Sequence, residues 1–96
     1  MKKLLLVASV VFAANLVADD FEDGKAALVK GDYHQAHVHF EKACNEGNQK
    51  ACVGFAGLYE NGRDVEKDIA KAKEMYKTAC DAGEELGCKR LEKIKE

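Results

Sequence analysis

The side chains able to do chemistry are few, and their spacing narrows what they could do. Four cysteines stand at 44, 52, 80 and 88, forming two pairs with the same eight-residue spacing. Three histidines lie close together at 34, 37 and 39. Serine occurs once, as Ser9, and threonine once, as Thr78. Cysteine pairs can close disulfides or hold a metal. Structural zinc sites usually leave about two to four residues between paired cysteines, whereas seven intervene here. Disulfides are therefore the favoured reading, and a four-thiolate zinc site is its rival. The histidines look like a metal cluster in linear order, yet one rigid helix cannot gather them. His34 and His37 are neighbours at i, i+3, but His39 is turned about 140° from His34 and about 200° from His37. They read as a solvated helix face, with no metal and no other cofactor expected. A hydroxyl nucleophile needs an adjacent base, and nothing arranges one around Thr78, so no catalytic residue is assigned.

The state of the cysteines depends on compartment, and the start of the chain bears on that. Lys2 and Lys3 precede the apolar run Leu4–Ala14, the pattern of a secretory signal peptide. The run is too short for a membrane-spanning helix, which needs about 20 apolar residues. Residues 1–18 are read as a leader cleaved after Ala18, with cuts after Ala13 or Ala14 and an uncleaved signal anchor as alternatives. The mature chain is then expected in the periplasm or the medium, without a stable membrane anchor. An even number of cysteines in a short exported chain reads as disulfides. Losing the leader takes away both signal lysines and leaves 13 basic against 17 acidic side chains. A mildly acidic chain has no footprint for nucleic acid. The remaining residues, 19–96, are few enough for one domain that needs covalent staples.

The cysteine pairs also mark a repeat. Shifting residues 31–60 by 36 places superposes Asp32 on Asp68, Ala36 on Ala72, Phe40 on Tyr76 and Ala43 on Ala79. The same shift superposes Cys44 on Cys80, Gly47 on Gly83 and Cys52 on Cys88. There is no proline, and the composition past the leader is rich in Ala, Lys, Glu and Leu, which favours helix throughout. Glycines punctuate the pattern, and Asp32 and Asp68 sit where N-caps would help. Helices are expected near 20–30, 32–46, 49–61, 67–82 and 84–95. Tyr33, Ala36, Phe40 and Ala43 form an apolar stripe that Ile69, Ala72, Tyr76 and Ala79 repeat, and Cys52, Phe55, Ala56 and Tyr59 form the facing one. No hairpin of this kind buries its apolar face alone, so the hairpins must stack.

This arrangement explains the eight-residue spacing. Cys44 falls in the last turn of one helix and Cys52 in the first turn of the next, with Gly47 reversing the chain between them. Helix ends meet there, within the ~5.5–6 Å between Cα atoms that suits a disulfide. Of the three pairings open to four cysteines, Cys44–Cys52 with Cys80–Cys88 is the one that respects the repeat.

The stretch from Gly31 through Asp32, Tyr33, Ala36, Phe40, Ala43 and Cys44 to Gly47 resembles the second helix of a Sel1-like repeat. Phe55-Ala56-Gly57-Leu58-Tyr59-Glu60-Asn61-Gly62 resembles the first helix of the next, with Phe55-Ala56 where the family pattern has leucine-glycine. With its four cysteines, the chain is similar to the exported Helicobacter cysteine-rich proteins over residues 24 to about 92. The resemblance implies an all-α fold: an α/α-hairpin solenoid of Sel1-like, tetratricopeptide-like repeats, disulfide-stapled, with repeats at about 19–47 and 48–83 and a C-terminal capping helix at 84–95.

That family carries a β-lactamase or penicillin-binding label. The sole serine lies in the leader, so residues 19–96 contain no Ser-x-x-Lys nucleophile of the serine β-lactamase kind. β-Lactam binding or weak hydrolysis stands as the alternative function, and a protein- or peptide-binding scaffold as the main one. By analogy with tetratricopeptide stacks, the first helix of each hairpin lines a concave groove. Lys50, Val53, Gly57 and Glu60 would face it from helix 49–61, and Lys89, Arg90 and Lys93 from the last helix. Gly54 and Gly57 would leave room for a peptide backbone, and the cations would suit a partner with an acidic or carboxylate feature. Ordinary solubilising charge is the competing explanation of those cations.

Overall fold

The computed structural model describes residues 20–94. The leader reading, its cleavage point after Ala18, and residue 95 of the expected capping helix lie outside them. Every regular element among the described residues is a helix: α1 (20–30), α2 (Tyr33–Asn45), α3 (Gln49–Asn61), α4 (Ile69–Asp81) and α5 (Glu85–Lys93). Each of α2 to α5 packs on its neighbour in sequence, and α3 also touches α5.

Short polar side chains start the helices. Asp32 Oδ1 accepts from the Gln35 amide at 3.2 Å, Asn48 Oδ1 from Ala51 at 3.1 Å, and Asp68 Oδ1 from Lys71 at 3.0 Å. These bonds satisfy amides that have no partner inside the helix. They also explain why α2 and α4 begin one and two residues later than the sequence pattern suggests: the capping aspartates stand outside the helices they start. The helix expected over 84–95 ends at Lys93, with Ile94 extended at φ −73° and ψ 127°. Gly47 and Gly83 reverse the chain between paired helices at φ 98° and 96°, a left-handed conformation costly for residues with a Cβ.

The two apolar stripes become two adjoining cores. Ala36, Phe40 and Ala43 of α2 meet Ala51, Phe55 and Leu58 of α3, with Ala27 of α1. Ala72, Tyr76 and Ala79 of α4 meet Val53 and Ala56 of α3, so α3 contributes to both cores. Alanine at the contact points allows the helix backbones to come close. Ala36, Ala51, Ala56, Ala72 and Ala79 are fully buried. Phe40 and Tyr76, equivalent in the repeat, fill the centres of their respective cores at 1% exposure each.

Two disulfides fasten the hairpin ends, Cys44–Cys52 and Cys80–Cys88, with Cα atoms 4.7 and 4.6 Å apart. No cysteine is left free. The first staple faces α4 across a hollow of about 120 Å³ bordered by Glu74, Met75 and Thr78. At α5 the apolar positions of α3 turn polar: in the 36-residue register Val53 gives way to Lys89 and Ala56 to Glu92, both exposed. Lys89 pairs with Glu85 at 3.3 Å on that face. This face of α5 is therefore charged and meets water.

Candidate functional site

One concavity of about 850 Å³ runs along the stack. Its walls come from α1 (Phe21, Glu22, Lys25, Leu28), α3 (Lys50, Val53, Gly54, Gly57) and the α5 end (Glu84, Leu86, Arg90). Tyr33, Phe40 and Tyr76, from the second helices of the hairpins, also border it. Of the residues assigned to a groove from sequence, Lys50, Val53, Gly57 and Arg90 border this concavity, and Glu60, Lys89 and Lys93 are not among its lining residues. Lys89 is held by Glu85 on the exposed side of α5.

The chemistry of several positions differs from the sequence reading. Val53 is 5% exposed and belongs to the second core, so it closes the groove floor more than it offers a contact. Gly54 does not leave room for a ligand. A Cβ there would lie 2.9 Å from Cε2 of Phe40, so the missing side chain makes way for the phenyl ring. Gly57 is the more open of the two, with the Tyr76 hydroxyl 3.7 Å from a notional Cβ. Glu60 turns to the protein itself: its Oε1 accepts a 2.6 Å hydrogen bond from the Tyr76 hydroxyl. Burial raises the Tyr76 phenol above the usual tyrosine range, and the carboxylate of Glu60 raises it further, while Arg90 opposes them. Leu91 and Ile94 pack against the second core, whereas Leu86 is 42% exposed at the groove end.

In the repeat register Phe40 and Gly54 correspond to Tyr76 and Arg90. The first hairpin thus has an aromatic ring in an apolar slot, and the second has a phenol with a guanidinium nearby. Lys50 and Arg90 hold no ion pair among the described residues, which leaves two cations on the groove available to an anion. Arg63 also borders the groove, with its guanidinium 4.9 Å from the Tyr33 ring centroid, a cation–π contact.

His34 is exposed, as expected of a solvated face, whereas His37 and His39 are half-buried and all three have carboxylate partners. His37 stacks on Phe55 with ring centroids 5.2 Å apart, and its Nδ1 donates to Asp64 Oδ2 at 2.7 Å. His34 Nδ1 reaches the same carboxylate at 3.2 and 3.3 Å. These bonds hold the Asp64 carboxyl below the usual carboxylate range, the His37 bond most strongly. His39 turns away, as the helical geometry requires, and donates to Asp20 Oδ1 at 3.1 Å. That bond, with help from Lys42, likewise lowers the Asp20 carboxyl. Asp20, Asp23 and His39 bring three potential metal donors within 4.8 Å of one another. Lys42 already supplies a cation there, 3.2 Å from Asp20 Oδ2. Asp64 went unrecognised in the sequence because it lies 27 and 30 residues from its histidine partners, in a loop with no counterpart in the first hairpin. The Thr78 hydroxyl donates to the Glu74 carbonyl one turn back, at 3.0 Å.

A family model described as Sel1 repeat matches residues 11–48 and 50–84, well over half of the chain. The chain belongs to the Sel1 repeat family. Sel1 repeats generally mediate protein–protein interaction. The first Sel1 match begins within the segment read as a leader, outside the described residues. Curated relatives include a Helicobacter pylori protein named beta-lactamase HcpA, 43% identical over 49 residues, covering 51% of this chain and 20% of the relative. A putative beta-lactamase HcpD from the same species is 33% identical over 51 residues, 53% of this chain and 17% of the relative. The alginate biosynthesis protein AlgK of Azotobacter vinelandii is 35% identical over 83 residues, 84% of this chain and 18% of the relative. This Sel1 chain thus spans about a fifth of the length of the relatives it matches. No solved structure matches significantly. No described helix is long and apolar enough to cross a membrane.

Proposed function

We propose that this chain is an exported, disulfide-stapled repeat scaffold whose groove binds a protein segment bearing acidic side chains or a free carboxylate. The observation that carries this reading is the pair Lys50 and Arg90. They come from two different helices, border one concavity, and have no carboxylate partner among the described residues. Around them the groove offers Tyr33, Leu28 and Leu86 above a floor closed by the buried Phe40 and Tyr76, so an extended segment alternating apolar and acidic residues would meet both kinds of contact. The residues at 19–96 are read as the working domain, with α5 as its cap. Two disulfides and no free thiol suit an oxidising compartment outside the cytoplasm, in keeping with the leader.

The test is fluorescence anisotropy with a labelled peptide alternating glutamate and leucine, against the same peptide carrying glutamine for glutamate. The oxidised protein should prefer the acidic peptide, and Lys50→Glu with Arg90→Glu should weaken it by about tenfold or more while leaving the glutamine peptide unchanged. Equal affinity for both peptides, or indifference to the charge reversals, would overturn the reading.

The names of the Helicobacter relatives favour a second reading, β-lactam binding or hydrolysis. Nitrocefin turnover by the oxidised protein above a heat-inactivated control, lost on replacing Lys50 or Arg90, would support it. No turnover above that control would remove the hydrolytic version.

A further inference from the structure

The two cores share one plan, with different chemistry at their centres. In the 36-residue register Phe40 corresponds to Tyr76, and the two glycines that bracket Phe40, Gly24 and Gly54, correspond to Glu60 and Arg90. The first hairpin therefore holds a phenyl ring between two bare backbones. The second holds a phenol between a carboxylate and a guanidinium. Tyr76 is 1% exposed, so its hydroxyl is shut off from bulk water and takes its partner from the protein. That partner is Glu60, whose Oε1 accepts at 2.6 Å, the short distance of a bond to an ionised acceptor.

Glu60 stands three residues beyond Gly57 on α3, and α5 places Arg90 on the groove wall. Both charges act on the same phenol, Glu60 in one direction and Arg90 in the other, so they lie within electrostatic reach of each other. Yet the carboxylate is spent on the phenol, and Arg90 has no ion pair among the described residues. The carboxylates that border the groove are likewise engaged elsewhere: Glu22 with Lys25 at 3.6 Å, and Glu84 with the Leu86 amide at 3.4 Å.

We infer that the Tyr76 hydroxyl keeps the groove cations free by tying Glu60 down, and that without it Glu60 pairs with Arg90 and fills the anion site from within. Tyr76 is thus a positioning residue of the groove, acting through Glu60 and Arg90 without touching a ligand. Its effect on binding rests on the groove reading. The competition between phenol and guanidinium for one carboxylate does not, because it is a property of the unliganded chain.

Tyr76→Phe tests this, and the repeat itself shows a phenyl ring at the equivalent place, Phe40. The first measurement needs no ligand. In the oxidised protein the Arg90 Nε–Hε resonance should shift in Tyr76→Phe and return to its original position when Glu60→Gln is added. The second is anisotropy with the glutamate–leucine peptide. Tyr76→Phe should weaken binding by about twofold to fivefold, the range a single exposed ion pair supplies. Adding Glu60→Gln should restore the unmodified affinity, whereas Glu60→Gln alone should leave it unchanged. Undiminished binding by Tyr76→Phe, a loss that Glu60→Gln does not repair, or an equal tightening by Glu60→Gln alone would each overturn the inference. A peptide that fails to bind the unmodified chain would sink the groove reading instead. The Arg90 resonance then decides the inference by itself: unmoved in Tyr76→Phe, it overturns it, and moved only while Glu60 is present, it upholds it.

Discussion

Adding a single methyl group at Gly54 tests how tightly the first core is built. A Cβ at this position would fall 2.9, 3.0 and 3.1 Å from Cε2, Cζ and Cδ2 of Phe40. The ring cannot retreat, because Gly24 lies against its opposite edge, where a Cβ would be 2.6 Å from Cδ1 and Cε1. Phe40 is also 1% exposed, so there is no route outward. Two effects oppose each other. Replacing glycine by alanine inside a helix is worth about 0.8–1 kcal/mol, whereas overpacking a filled core costs about 1–3 kcal/mol. With the ring confined on both edges the upper half of that range applies, and Gly54→Ala should destabilise by a net amount of about 1–2 kcal/mol. For a domain of this size that lowers Tm by roughly 5–15 °C. Far-UV circular dichroism melts of the oxidised protein measure it directly. In a Phe40→Leu background, which opens the slot, the same substitution should become stabilising, by up to about 1 kcal/mol. A rise in Tm for Gly54→Ala in the otherwise unchanged chain would refute the packing argument.

Other outcomes follow from the same structure. Each disulfide closes a loop of about nine residues, worth roughly 2.5 kcal/mol on chain-entropy grounds, so replacing either pair by serine should lower stability by about that amount in a urea melt. The two staples differ in access: Cys52 is 9% exposed, and its bridge faces α4, whereas Cys80 and Cys88 are both partly exposed at the end of the stack. Limited reduction followed by thiol alkylation and mass spectrometry should therefore label Cys80 and Cys88 first, and simultaneous labelling of all four would contradict the packing of the first staple. Asp20 and Asp64 have carboxyls lowered in the fold, so their stabilising effect is complete above the ordinary carboxylate value of 3.8 and is lost as pH falls through their lower folded values. The urea midpoint should drop below about pH 4, and less steeply in Asp64→Asn; an unchanged acid profile in that variant would show that the His37 and His34 bonds are energetically idle.

Much of the scaffold was legible because its determinants are local or periodic. Asp32 and Asp68 cap helices through bonds spanning three residues, and the cysteine spacing brackets one helix-to-helix turn. Phe40 and Tyr76 share a position because the stack repeats. The groove was less legible, since a repeat alignment says which residues are equivalent and not what each one touches. Glu60 looked like a groove carboxylate until Tyr76, sixteen residues on, took its oxygen. Gly54 looked like space for a ligand and proved to be space for Phe40. Lys89 and Lys93 lie on the exposed side of α5, away from the residues that line the groove. The partner of the histidine pair was missed for a related reason: helical angles show correctly that His39 diverges from His34 and His37, but not that a distant loop carries Asp64 to the other two.

The groove's selectivity for anionic segments is the claim on which the functional account stands, and amide chemical-shift mapping addresses it most directly. On adding the glutamate–leucine peptide to the oxidised protein, the shifts should concentrate at Lys50, Gly54, Gly57 and Arg90, and the glutamine counterpart should produce much smaller ones. Shifts gathered instead on the outward faces of α2 and α4, or equal shifts from both peptides, would contradict it.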